Sequence, residues 1–207
     1  MPIRSKKELK FYILADRMMN KRTFKYTSGQ RLKNLFLRDY IMDWFVAMRK
    51  CQYYGQMGGV FSKMWYMYNR MKFHHLSVKL GFSIGYECLG YGAWIPHYGT
   101  IVIGENCRLG RYACLHTATC ITATGKQIGE GLYMGTGAKL IGEINLGDNI
   151  NVGANSVVNK SFMEEGILIA GVPAVKKKYH GYWYDSPSFQ ERVDKIESLR
   201  CEMKIEL

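Results

Sequence analysis

Five histidines occur in this 207-residue chain, and two of them, His97 in IPHYGT and His116 in CLHTATC, sit where a proton could be moved. A neutral imidazole is basic near pH 7 yet mostly unprotonated, so it suits taking the proton from a hydroxyl nucleophile. His97 is the candidate base. His116 follows a Leu at a position usually held by Gly; it could contact an acceptor, orient His97, or be a polar corner residue. Downstream, the small side chains of Thr136 and Ala154 would let a ligand run close to the backbone. Lys160, Lys176, Lys177 and Lys178 offer positive charge to an anion, although a lysine run also suits a solvated face.

Residues so far apart in sequence need a periodic scaffold to meet, and the chain has one. From Ser83 to Lys160 apolar residues recur every six positions: Leu89, Ile95 and Ile101; after a two-residue offset Ile103, Leu109, Leu115 and Ile121; after a one-residue offset Ile128, Met134, Leu140, Leu146, Val152 and Val158. Gly often fills the next position, as in Gly90, Gly110, Gly135 and Gly153. Such hexapeptide repeats mark a parallel β-helix, in which three short strands make a triangular coil and each buries one aliphatic side chain. The glycines are expected to relieve backbone angles at the corners. If the two-residue insertion after Ile101 stays on one face, Ile95, Leu115, Met134 and Val152 stack. His97, Thr117, Thr136 and Ala154, two residues beyond each, then form a column of roughly 14 Å over coils about 4.8 Å apart.

Composition narrows the class. The six cysteines, Cys51, Cys88, Cys107, Cys114, Cys120 and Cys201, form no CxxC pair and read as free thiols in a reducing cytoplasm. No segment has the length of an uncharged membrane span, and the charges of MPIRSKKELKFYILADRMM break any secretory h-region. A net charge of +12 attracts anions, but no zinc-finger spacing or aromatic RNA-binding signature accompanies it, so nucleic acid is not an expected partner.

Three segments follow: a helical N-terminal region (1–80), the β-helix (81–175) and a C-terminal tail and helix (176–207). In the first, Leu32, Leu35, Phe36, Tyr40, Trp44 and Phe45 lie at helical spacing, and Val60 to Tyr68 is rich in Met and aromatics. Packed core is the favoured reading of that stripe. The mixture with Lys33, Arg38, Arg49, Lys63, Arg70 and Lys72 also suits a helix lying on the anionic inner face of a membrane. Near the C-terminus, Ser186 and Pro187 suit N-cap and N1 positions. Phe189, Val193, Ile196 and Met203 make a stripe that needs a covering partner.

Residues 75–178 are similar to the serine acetyltransferase branch of the left-handed β-helix acyltransferases, and more closely to the serine-acetyltransferase-like enzymes that O-acetylate sugars in bacterial surface polysaccharides. The segments IPHYGTIVIGENCRLG, CLHTATCI, MGTGAKLIGEINLGDNINVGANSVV and AGVPA carry the resemblance. It implies acetyl-CoA as acyl donor, with His97 deprotonating the acceptor hydroxyl as it attacks the thioester. Thr136 and Ala154 would lie along the pantetheine arm, Ala123 at another cofactor-side position, and Lys160, Pro173 and Lys176 near the adenosine end. It also implies a homotrimer with the site between neighbouring β-helices, and no metal.

Two departures bear on the acceptor. The serine-specific branch places an Asp before the catalytic histidine and a second histidine in a longer loop ahead of the cofactor coils. Here Pro96 precedes His97, and the Thr122 to Gln127 loop is short and lacks histidine. The expectation is therefore a sugar hydroxyl of a surface polysaccharide, with serine O-acetylation in cysteine biosynthesis as the alternative. A metal-dependent lyase resembling the γ-class carbonic anhydrases would need three converging histidines, and the repeat contains only His97 and His116. A non-catalytic scaffold would need neither the histidine column nor the cap turn.

Overall fold

The computed structural model describes residues 3–21, 37–122 and 125–206. Among the described residues three helices precede the repeat. Helix α1 (Lys6–Met19) is capped by Ser5: Glu8 N–H donates to Ser5 Oγ at 3.1 Å, and the Glu8 carboxylate accepts from Arg4 N–H at 2.8 Å. Helix α2 (Tyr40–Tyr54) is capped by Asp39, which accepts from Met42 N–H. Helix α3 (Val60–Leu80) ends at Gly81, whose φ of 77° is the left-handed stop that a glycine supplies without strain. Tyr40, Trp44 and Phe45 do fall on one helix, with Trp44 and Phe45 fully buried. Leu32, Leu35 and Phe36 lie outside the described residues.

The repeat folds as expected into a left-handed parallel β-helix of about five turns. Its strands are β1 (Phe82–Ile84), β2 (Ile101–Ile103), β3 (Arg108–Leu109), β4 (Cys114–Leu115), β5 (Thr119–Ile121) and β6 (Gln127–Ile128). They continue with β7 (Tyr133–Met134), β8 (Lys139–Leu140), β9 (Asn151–Val152), β10 (Val157–Val158), β11 (Ile167–Gly171) and β12 (Ala174–Tyr179). One face stacks β1, β2, β5, β8 and β10, and another stacks β4, β7, β9 and β11. The third is built from β3 and β6, extended by bridges at Leu89, Leu146 and Phe162. Every aliphatic residue of the six-residue series is buried, from Leu89 to Val158. The last coil closes as a hairpin, with β11 and β12 antiparallel around Val172 and Pro173.

The glycines serve a different purpose from the one expected. Gly90, Gly110, Gly129, Gly135 and Gly147 all have ordinary negative φ values, but a Cβ on any of them would meet backbone of the next coil at 2.6–2.8 Å. They are small because the coils stack closely there. The left-handed backbone falls two residues later, in a column shared by Gly92, Tyr112, Gly131 and Asn149.

Helices α1 and α2 are joined by a buried ion pair whose two members also hydrogen-bond to the first full coil. Arg49 Nε donates to Asp16 Oδ2 at 2.7 Å and Nη2 to Oδ1 at 3.1 Å, with neither side chain exposed. The remaining Arg49 donors reach Gln52 Oε1, Leu89 O and Gly90 O, so all five guanidinium N–H groups have acceptors. Asp16 also accepts from Gly92 N–H at 3.0 Å. Burial pushes its carboxyl up from the ordinary value, while Arg49 and the Gly92 and Ala93 backbone pull it down.

Helix α4 (Pro187–Glu202) starts at Ser186 and Pro187 as the sequence suggests, although the Ser186 hydroxyl makes no capping bond. Its stripe is covered by α1: Val193 and Ile196 join Phe11, Tyr12, Ala15, Met19, Tyr91 and Tyr112 in a second core. The stripe on α3 departs from the favoured expectation. Phe61, Met64, Trp65, Met67, Tyr68 and Met71 are more than half exposed, because α3 packs on α2 and β1 through the opposite face, with Phe73, Leu76 and Leu80.

Candidate active site

The stacking deduced from the repeat holds on the face that matters. Leu115 pairs with Met134, Met134 with Val152 and Val152 with Ile169, while Trp94 pairs with Cys114 and so sets Ile95 over Leu115. The corner one step further is in register too: Gly137 N–H donates to Thr117 O at 3.1 Å, and Asn155 N–H to Thr136 O at 2.9 Å. Thr136 and Ala154 are exposed in this column, which Gly171 extends by one coil.

The spacing put His97 in that column, but the structure gives the place over Thr117 to Gly99 and sets His97 beside it. Trp94 pairs with a residue twenty positions on, whereas Ile101 pairs with Thr119, eighteen positions on. The two surplus residues therefore lie before Ile101 and not after it. Pro96 keeps the first register and Gly99 the second, since a Cβ on Gly99 would touch Thr117 Cγ2 at 3.2 Å. His97 and Tyr98 are looped out between them, and both are exposed. The loop is pinned by Gly99 N–H to Leu80 O at 2.9 Å and Ile101 N–H to Gly81 O at 3.2 Å, so the end of α3 holds the histidine's turn.

His116 sits beside it. Its ring lies 6.0 Å from that of Trp94, edge to face, and 5.2 Å from that of Tyr133. Its Nε2 is buried without a hydrogen-bond partner among the described residues. Burial, and secondarily the charge of nearby His97, hold its pKa below the ordinary histidine value. At neutral pH it is thus an uncharged imidazole with one uncommitted nitrogen.

Sequence reasoning missed the wall behind His116. Trp183 stacks on Trp94 at 5.4 Å and donates from Nε1 to Tyr112 O, and Phe189 packs on Trp94 at 4.5 Å. These residues come from the C-terminal tail folding back, so no period within the repeat announces them. At the other end of the column, Pro173 lies exposed in the β11–β12 turn. Lys160 Nζ is 5.4 Å from the Phe162 ring, and Lys176 is engaged by Glu164 at 2.5 and 2.7 Å. Lys177 and Lys178 are exposed and have no ion pair among the described residues. Ala123 lies outside the described residues. Among the described residues no three His, Cys, Asp or Glu side chains gather to hold a metal ion.

No family model matches the chain. A serine acetyltransferase of Synechococcus elongatus is 34% identical over 92 residues, covering 41% of this chain and 37% of the relative. This β-helix is serine acetyltransferase-like. A second such enzyme, from Staphylococcus xylosus, is 33% identical over 100 residues, covering 45% of this chain and 46% of its own length. The chain thus aligns with less than half of either curated relative. Among solved structures, serine acetyltransferase from Neisseria gonorrhoeae superposes with a TM-score of 0.60 at 20% identity, covering 90% of this chain and 72% of the other. The Brucella abortus enzyme in complex with coenzyme A superposes with a TM-score of 0.57 at 22% identity, covering 84% and 68%.

These serine acetyltransferase-like matches correct the polysaccharide expectation. The curated relatives carry the serine name, and so do the solved structures, including one in complex with serine. The sugar reading rested on two missing groups, the acid before His97 and the second loop histidine. A missing group weakens one grip on an acceptor but installs no other, so Pro96 and the short loop do not select a sugar.

Proposed function

We propose that this chain is an acetyl-CoA-dependent serine O-acetyltransferase with His97 as general base. The observation that carries the reading is the looped-out His97 at the head of the Thr117, Thr136 and Ala154 column, beside a neutral His116. The pantetheine arm would run along Thr136, Ala154 and Gly171, three small exposed residues that leave the backbone approachable. The adenosine phosphates would then fall near Pro173 and the basic group formed by Lys160 and Lys176 to Lys178. Lys176 would have to leave Glu164 to take part.

In the reaction, His97 removes the proton from the serine hydroxyl as its oxygen attacks the acetyl carbonyl carbon. The tetrahedral oxyanion collapses, the carbon–sulfur bond breaks, and the departing CoA thiolate recovers the proton from the imidazolium. His116 contributes position rather than charge, as an uncharged ring packed against Trp94 and Tyr133 beside the base. The exposed corner presents only one wall to these substrates. A homotrimer, in which a neighbouring β-helix supplies the facing wall, fits that geometry, as does a reducing cytoplasm for a chain whose described cysteines are all free.

Replacing His97 tests the assignment. His97→Ala leaves the aliphatic core intact, so CoA binding is retained while kcat with L-serine, followed by thiol release, falls about 10²- to 10⁴-fold. Near-normal turnover at saturating serine would refute the base. Absence of serine acetylation by the unmodified enzyme would refute the reaction.

A further inference from the structure

Helix α3 keeps one face on α2 and β1 and leaves the other uncovered by the described residues. At about 100° per residue, Val60, Phe61, Met64, Met67, Tyr68, Met71 and Val78 fall within a sector of roughly 120°. All are exposed, Phe61 at 81% and Met71 at 68%. The sector runs the length of a helix of about 30 Å. Trp65 stands at its edge and His75 is the polar residue within it.

The charges beside the stripe are of one sign. Lys72 and Lys79 border it on one side, and Lys63, Arg70 and His74 on the other. The 21-residue helix contains no Asp or Glu. Arg70 and Lys79 are braced over aromatic rings, Arg70 on Phe73 and Tyr86 and Lys79 on Tyr40, rather than neutralised by acids. An apolar strip with amphipathic Trp and Tyr rings between two basic rows matches the layered chemistry of an anionic bilayer surface, acyl boundary below and phosphate above. No described helix is long and apolar enough to cross a membrane, so α3 would lie along the surface. A second copy is a poor occupant. Pairing this face with itself sets basic rows against basic rows with no counter-charge.

We propose that α3 docks the chain on an anionic lipid surface, with Phe61, Met64, Trp65, Tyr68 and Met71 in the interface and Lys63 and Lys72 on headgroup phosphates. This docking stands apart from the acetyl-transfer reading and uses none of its residues.

The test is flotation of the full chain with vesicles of phosphatidylcholine plus phosphatidylglycerol, against vesicles of phosphatidylcholine alone. Binding is expected to the anionic vesicles only, to weaken with added salt, and to shift the Trp emission to the blue. Trp65→Phe should remove that shift. The triple change Phe61→Ser, Met64→Ser and Met71→Ser, and separately Lys63→Glu with Lys72→Glu, should each lower partitioning at least about tenfold. Far-ultraviolet circular dichroism and thiol release should stay unchanged in both. Equal binding to neutral and anionic vesicles, no binding at all, or binding indifferent to these changes would overturn the proposal. So would a wild-type chain that ignores lipid and whose oligomer dissociates on the triple change, since a second copy would then cover the face.

Discussion

Arg49→Met removes the cation that joins the helices to the β-helix while keeping most of the side-chain volume. Asp16 would remain fully buried, reduced to its backbone partners, and the carbonyls of Leu89 and Gly90 would lose the donors now 2.7 Å away. Breaking a buried pair from one side costs about 3–5 kcal/mol. For a chain of this length that corresponds to a fall in Tm of roughly 6–20 °C. The paired variant Asp16→Leu with Arg49→Met removes both charges, so it should lose less than the two single variants combined. It should not recover fully, because Leu89 O, Gly90 O and Gly92 N–H stay without partners at about 1–3 kcal/mol for each group left dry. Chemical and thermal denaturation of the four proteins completes the cycle. If Arg49→Met lowers Tm by less than about 3 °C, or if the two single effects simply add, the pair is not the clamp described.

Ala154→Phe should obstruct the pantetheine path and raise the Kd for CoA about tenfold or more, a loss within the range for an overfilled site; since the side chain faces outward, Tm should hold, and unchanged calorimetric affinity would mean that the column is not the cofactor groove. A pH effect should trace to His116. Its pKa is lower in the folded chain than in the unfolded one, so the unfolded state takes up the proton first as the solution is acidified. Stability should therefore decline as pH falls below the ordinary histidine value of about 6.5, with no contribution above it. His116→Gln should flatten the slope of Tm between pH 7.5 and 5, and identical slopes in the two proteins would count against a buried neutral imidazole.

The repeat was readable because each coil buries one aliphatic residue per face, and Leu115, Met134 and Val152 could be stacked from spacing alone. Spacing does not say where surplus residues leave the ladder. The offset noticed after Ile101 is produced before it, at His97 and Tyr98, because a corner can be lengthened without breaking a strand pair while a strand cannot. The glycines were visible but their reason was not, since coil-to-coil contact depends on a neighbour about twenty residues away. On α3 the periodicity located the apolar stripe. Which face would be covered depended on Phe73, Leu76 and Leu80 finding α2 and β1, an outcome of assembly and not of local pattern. The acceptor was misread because Pro96 and the short loop were taken as positive information about a sugar.

A stack of coils held by backbone amides has no intrinsic last member. Left open, the final coil would offer its unpaired strand to the first coil of another copy, and copies could join end to end into a fibre. The β11–β12 hairpin prevents this by reversing direction, so the outermost strand runs antiparallel and no longer matches the parallel ladder it terminates. Its residues Val175 to Tyr179 are all exposed and include Lys176, Lys177 and Lys178. Whatever those lysines do for a bound anion, they also make the end of the solenoid repel another like itself, and so help decide that the chain remains a discrete molecule.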